Sequence, residues 1–172
     1  MAHSDQEDKV KGNSVPKLTM VLFSGDMDKA LAALIIATGA AASGWDVSIF
    51  FTFWGFAILR DPNKKSKMKK DTMGKMFSTM LPKGADGLKL SKMNMLGLGT
   101  SMMKRRMSSK KVQSVRGFIK DANELGVKFL ACDLSMELLG INADELIDEV
   151  SKVCGVGTFL EESKDANVSL FV

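Results

Sequence analysis

The chain has no tyrosine, one histidine, two cysteines, three prolines and two tryptophans in 172 residues. Each scarcity removes a class of chemistry. The histidine is His3, in a polar N-terminal stretch, so neither a Ser-His-Asp nor a Cys-His system operates in the folded body. Cys132 and Cys154 are too few for a disulfide framework. They cannot supply four soft ligands to zinc either. No metal and no cofactor is expected. The lysine-rich stretches lack interleaved aromatic platforms, which argues against single-stranded nucleic acid, and no nucleic-acid partner is expected.

Long apolar runs are also scarce. Ala30 to Leu59 carries Asp46 as its single charge, and a spanning helix needs about 20 apolar residues. Its first part, however, reads as a helix that ends at Gly44. Its second, Val47–Phe53, is rich in β-branched and aromatic residues. Two buried elements account for the run better than one span. Met1–Val15 is polar and contains no secretory signal, so a cytoplasmic protein is expected.

Methionine and positive charge are abundant, and they are concentrated. Nine of the 13 methionines lie between Met68 and Met107. Arg60 to Lys111 holds fifteen Lys/Arg against Asp61, Asp71 and Asp86, while the chain as a whole carries only +4. A basic, Met-rich insertion at about 62–107 thus sits on an acidic body. It reads as two short amphipathic helices with a loop between them. Flexible thioethers suit a lid or an adaptable docking surface, and the charge suits an acidic protein or an anionic membrane surface. A solvated, mobile insertion would show the same composition.

The rest reads as one α/β domain over 17–172, preceded by a disordered polar tail at 1–16. A strand over Leu18–Ser24 leads through Ser24-Gly25-Asp26 into a helix capped by Asp26. A second strand covers Asp46–Phe53, completing a βαβ unit. Ser108 or Ser109 is the expected cap of a helix whose stripe is Val112, Val115, Phe118, Ile119, Ala122 and Leu125. A strand over Val127–Ala131 ends on Cys132. Asn142 and Glu145 have capping-box spacing, which predicts a helix over Asn142–Val153. Gly155–Ser163 fits a strand or a short helix. Asn167–Val172 reads as a final buried strand. The pattern is α/β, a mainly parallel sheet in a three-layer α/β/α arrangement.

Cys132 has the address of a reacting group. It closes an apolar strand and opens a helix, at the edge where open α/β sheets bind ligands. A free thiol is only about 3 % thiolate at neutral pH, and helix N–H groups or cations raise that fraction. Ser135 is a candidate hydrogen-bond donor to the sulfur. In a parallel sheet the loops Ser24-Gly25-Asp26 and Phe53-Trp54-Gly55 reach the same edge. Gly25 and Gly55 would admit a ligand close to the backbone, and Trp54 would wall the pocket. Gly97-x-Gly99 lacks the remaining elements of a phosphate-binding loop. Cys154 is expected at the far edge, because a helix over Asn142–Val153 would carry the chain about 18 Å back down the sheet. A Cys132–Cys154 bond within one chain is therefore not expected.

Five segments together resemble the DsrE/DsrF/DsrH-like family of sulfur-relay proteins, in its larger form with a Met- and Lys-rich insertion. They are Val21-Leu22-Phe23-Ser24-Gly25-Asp26, Phe50-Phe51-Thr52-Phe53-Trp54-Gly55, Met95-Leu96-Gly97-Leu98-Gly99, Leu125 to Cys132 with Met136 and Gly140-Ile141, and Val168-Ser169-Leu170-Phe171-Val172. The resemblance implies a flavodoxin-like α/β/α fold, homo-oligomers often built from trimers, and a cysteine that carries sulfur as a persulfide. Cys132 matches that cysteine; Cys154 matches none. The expectation is a sulfur-relay protein or sulfurtransferase using Cys132, with Ser24, Gly25, Trp54, Gly55, Ser135 and Met136 as its substrate-binding surroundings. Its partners would be sulfur-donor and sulfur-acceptor proteins. The alternative is a non-enzymatic adaptor that binds a membrane surface or an acidic protein through the insertion.

Overall fold

The computed structural model describes residues 15–67 and 70–172. The expected disorder of the 1–16 tail therefore lies outside the described residues, apart from Val15 and Pro16. Five strands form one sheet: β1 (Lys17–Leu22), β2 (Asp46–Phe51), β3 (Lys128–Cys132), β4 (Lys152–Cys154) and β5 (Val168–Phe171). Their order is β4-β3-β2-β1-β5, and every pairing is parallel. This order differs from the 2-1-3-4-5 of flavodoxin itself but keeps the layered build.

The helices are α1 (Met27–Ala42), α2 (Phe56–Leu59), α3 (Thr72–Met80), α4 (Leu98–Ser109), α5 (Val115–Glu124), α6 (Asp133–Leu139) and α7 (Val156–Ser163). Connections from β1 to β4 step one way along the sheet, and α7 returns across it to β5. Right-handed crossovers then place α1 and α5 on one face and α7 on the other. The first face is the larger core: Leu18, Met20, Leu22, Ile49, Phe51, Phe129 and Ala131 are buried along with Ala30, Ala33 and Leu34 of α1. On the second face Phe159 of α7 stacks on Phe50 with ring centroids 4.9 Å apart. Glu162 Oε2 of α7 lies 3.0 Å from Lys17 Nζ and 3.7 Å from Lys128 Nζ. Among the described residues no helix is long and apolar enough to cross a membrane.

Three expected elements differ. The predicted helix over Asn142–Val153 is a single 3-10 turn at Ala143–Glu145, followed by an isolated bridge from Leu146 to Arg60 and a turn at 148–149 before β4. Its capping box does form, but tertiary bonds then outcompete the helix ladder. Ile147 N donates to Leu59 O at 2.8 Å, and Ser151 N to Phe129 O at 2.9 Å. These bonds draw the chain alongside β3 and start β4. The cap expected at Ser108 or Ser109 belongs to Ser114, whose Oγ accepts from Gly117 N. Helix α4 runs through both earlier serines and stops before Lys111, which sits at positive φ. Finally, β5 is an edge strand with Val168 and Phe171 exposed, because only β1 pairs with it.

The insertion packs onto the body. Arg60 is 2 % exposed and Glu145 5 %. Arg60 donates to Ser78 O (2.6 Å) and Leu81 O (2.9 Å) at the end of α3 and lies 3.5 Å from Glu145 Oε1. Lys70 Nζ reaches the other oxygen, Glu145 Oε2, at 2.6 Å. Helices α3 and α6 touch backbone to backbone: a Cβ built on Gly140 would stand 2.4 Å from Gly74 Cα. Asp28 of α1 accepts from both Ser91 N and Ser91 Oγ, fastening the far end of the insertion.

Candidate functional site

Four of the five strands bring their carboxyl ends to one edge together with candidate residues. On the β1–β2 side, the chain turns at Phe23–Asp26 and at Thr52–Gly55. Ser24 Oγ donates to Asp26 Oδ2 at 2.9 Å and accepts from Asp26 N at 3.1 Å, which closes the first turn on itself. The two loops lie in direct contact: Gly55 N donates to Phe23 O at 2.8 Å. A Cβ on Gly55 would stand 2.2 Å from Leu22 O, and one on Gly25 2.6 Å from Trp54 O. The close approach that these glycines permit is the approach of one loop to the other. Trp54 is 45 % exposed and walls a groove of about 520 Å³. Ser24, Gly25, Asp26, Phe77, Met80 and Lys89 also line it. The groove thus joins the expected loops to α3 of the insertion, and Cys132 is not on its wall.

Cys132 occupies the β3 side. It is the last residue of β3 and the N-cap of α6. Only 7 % of it is exposed. The first-turn N–H groups of α6 are partly taken, since Leu134 N donates to Asp133 Oδ1 at 2.6 Å. Ser135, expected as a partner of the sulfur, instead forms a 2.7 Å hydroxyl–hydroxyl bond with Thr52. That bond ties α6 to the end of β2. Met136 is buried behind it.

Cys154 overturns the expectation made for it. It is the last residue of β4, and its register partner on β3 is Cys132. It lies beside Cys132 at the carboxyl edge, because the helix that would have carried it away does not form. Both thiols are free, and Cys154 is 6 % exposed. Burial pushes the Cys154 thiol above its ordinary value, Lys152 partly offsets this, and Asp133 and Cys132 add to it. Asp133 Oδ2 is 3.5 Å from the position of a Cβ on Gly155, so its carboxylate borders the pair.

A sequence model of the DsrE/DsrF/DrsH-like family matches residues 14–171. The chain belongs to this family. It is 46 % identical over 156 residues to the uncharacterized protein YrkE of Bacillus subtilis, covering 91 % of this chain and 96 % of that protein. It is 32 % identical over 160 residues to the sulfur carrier protein DsrE2 of Allochromatium vinosum, covering 91 % and 98 %. Among solved structures, MTH1491 of Methanobacterium thermoautotrophicum, a protein of unknown function, superposes with a TM-score of 0.53 at 14 % identity over 90 % of this chain and 98 % of that one. That likeness speaks for the fold alone. The family establishes the α/β layering and suggests a sulfur-relay role.

The sequence reading missed the neighbourhood of Cys154, the Thr52–Ser135 bond and the buried Arg60–Glu145 pair. Asn142–Glu145 spacing gave a true local signal but hid the strand that follows it. Arg60 stood in view as a cation directly after the apolar run Phe56–Leu59.

Proposed function

We propose that this chain is a cytoplasmic sulfur-relay protein that carries persulfide sulfur on Cys132. Membership of a family that includes a sulfur carrier 32 % identical over nearly the whole chain carries the reading. The position of Cys132 at a strand end beside a helix start gives it a residue. The Cys132 thiolate attacks the outer sulfur of a donor persulfide, forming Cys132–S–S⁻ and releasing the donor thiol. An acceptor thiolate then attacks that outer sulfur and regenerates Cys132. No histidine is needed, because exchange between sulfurs requires little acid–base assistance. Partners are donor and acceptor proteins, and the open groove at Trp54 is the surface on which a carrier docks. β4 has three residues and one neighbouring strand, so local opening of this edge gives the sulfur access. A trimer-based homo-oligomer belongs to the same reading; Val156 and Leu160 of α7 and Phe171 of β5 are exposed apolar side chains that it would bury.

Incubation with a low-molecular-weight persulfide followed by intact-protein mass measurement tests the proposal. The expected result is a gain of one sulfur, about 32 Da, on Cys132, absent in Cys132→Ser. Failure to form any adduct overturns it.

The adaptor reading has its own support. Met93, Met95, Leu96, Leu98 and Met102 are exposed on the insertion, with Lys104, Arg105 and Arg106 following. Flotation with anionic vesicles at low and high salt tests it, since such contacts weaken with ionic strength.

A further inference from the structure

We propose that Cys154 is the second reacting thiol of this site: it attacks the inner sulfur of the Cys132 persulfide, expels hydrosulfide and closes a Cys132–Cys154 disulfide. This inference rests on the reading of Cys132 as the sulfur-carrying residue and adds a reductive exit to it.

The juxtaposition of the two cysteines in register carries the proposal. Cys132 and Cys154 are paired on adjacent parallel strands, and paired residues project from the same face of a sheet. Neighbouring strands lie about 4.8 Å apart, inside the Cα separation of about 4.4–6.8 Å that a disulfide spans. Both residues end their strands, where the ladder stops constraining the backbone. β4 is an edge strand of three residues, so the small shift that brings the sulfurs together disturbs one pairing only. Gly155 follows immediately and puts no side chain between Cys154 and α6. Neither sulfur is committed elsewhere, since both thiols are free.

The step balances without an external oxidant. The Cys154 sulfur forms a bond to Cys132 Sγ, and the bond between Sγ and the terminal sulfur breaks. The terminal sulfur leaves with the bonding pair and takes up the Cys154 proton, departing as HS⁻. Two thiols are oxidised to a disulfide, and the sulfane sulfur is reduced to sulfide. Burial pushes the Cys154 thiol up, and because the thiolate is the attacking species, its proton is given up as the bond forms and passes to the leaving sulfur. A cellular dithiol reductant then restores the reduced pair by exchange. The site would thus have two outcomes for bound sulfur: transfer to a docked acceptor thiol, or release as sulfide when none is docked.

The test is a single turnover. Full-length wild type, Cys154→Ser and Cys154→Ala are loaded anaerobically with glutathione persulfide, desalted, and followed by intact mass, sulfide assay and non-reducing peptide mapping. Wild type is expected to lose the added sulfur, release sulfide in proportion and finish as a Cys132–Cys154 disulfide. Both variants keep the adduct at least about tenfold longer, because an adjacent thiol has a large effective concentration over any in solution. Equal lifetimes in wild type and variants overturn the inference while leaving Cys132 as carrier. So does migration of the sulfur to Cys154 at unchanged mass. Absence of any adduct in all three proteins overturns the carrier reading, and the inference with it. Agreement between the two Cys154 variants separates loss of the thiol from a packing defect.

Discussion

The β1–β2 side of the carboxyl edge is open and aromatic; the β3–β4 side is small, sulfur-bearing and covered. On the first side Trp54 stands half-exposed over a groove of about 520 Å³ and Phe23 packs against Phe53 with centroids 5.5 Å apart. On the second, two buried thiols lie in register, and α6, which starts after Cys132, packs at its other end against α3 through Gly140 and Gly74. The sequence reading places these halves around one pocket; the groove at Trp54 does not include Cys132 in its wall, while Thr52 and Ser135 bring the two sides into contact. The groove and the buried thiols are adjacent, with Thr52 and Ser135 as the hydrogen-bonded seam. Such a division suits a carrier whose sulfur must be shielded between partners yet reachable once one of them docks.

The largest test loosens the seat of α3 on the body. Glu145→Ala leaves the Arg60 charge buried with no carboxylate, a defect of about 3–5 kcal/mol, and also deletes the anchor of Lys70. Thermal denaturation should show a midpoint lower by roughly 10 °C, and alkylation of Cys132 and Cys154 should accelerate. A destabilised protein whose thiols stay as protected as before would break the link between insertion and thiol half.

Cutting the seam comes next. Ser135→Ala or Thr52→Val alone strands a hydroxyl near the core and should cost about 1–3 kcal/mol, whereas the double variant should lie close to the milder single one. Additive losses in denaturant titrations would mean that the two halves are not coupled through this bond.

The shared floor beneath both halves gives a smaller, pH-dependent effect. The Lys17 ammonium beside it holds the Glu162 carboxyl below the usual carboxylate range. Its contribution to stability is present above that range and is lost as pH falls through the depressed folded value. Burial works to lower Lys128, but the Asp46 carboxylate outweighs it and the net shift is upward. Its contribution is present below the ordinary lysine range and is lost as pH rises through the folded value. Glu162→Gln should therefore lower stability at neutral pH, converge with the wild type once the carboxyl is protonated, and so flatten the acid limb of the stability profile. A steeper acid limb in the variant would contradict the sign.

The smallest effect on stability belongs to Trp54→Ala, about 0.5 kcal/mol or less for a half-exposed side chain off the core. Adduct formation from a small persulfide should be unchanged, while transfer to or from a protein partner should fall. If the small donor also fails, the groove and the thiols are one site after all.

Much of this fold was legible because each early element is locally consistent. The strand at Lys17–Leu22, the helix from Met27, the strand at Asp46–Phe51 and the address of Cys132 all follow from hydrophobic period and turn chemistry. The segment after Asn142 was not legible, since its capping box is real and its outcome is decided by bonds to Leu59 and Phe129 far away in sequence. Gly25 and Gly55 were readable as close-approach positions, but what approaches them is settled only by tertiary structure. Cys154 was misplaced for the same reason as the helix: a local signal was extended eight residues beyond its reach.

The seat of α3 on α6 has one more consequence. Where two helices meet through glycines, the backbones already stand at the smallest separation a polypeptide allows. A methyl group at Gly74 or Gly140 would wedge them apart, and no natural residue would draw them closer. The spacing of α3 and α6 is thus adjustable in one direction only, and descendants of this chain can evolve a looser seat for the insertion but not a tighter one.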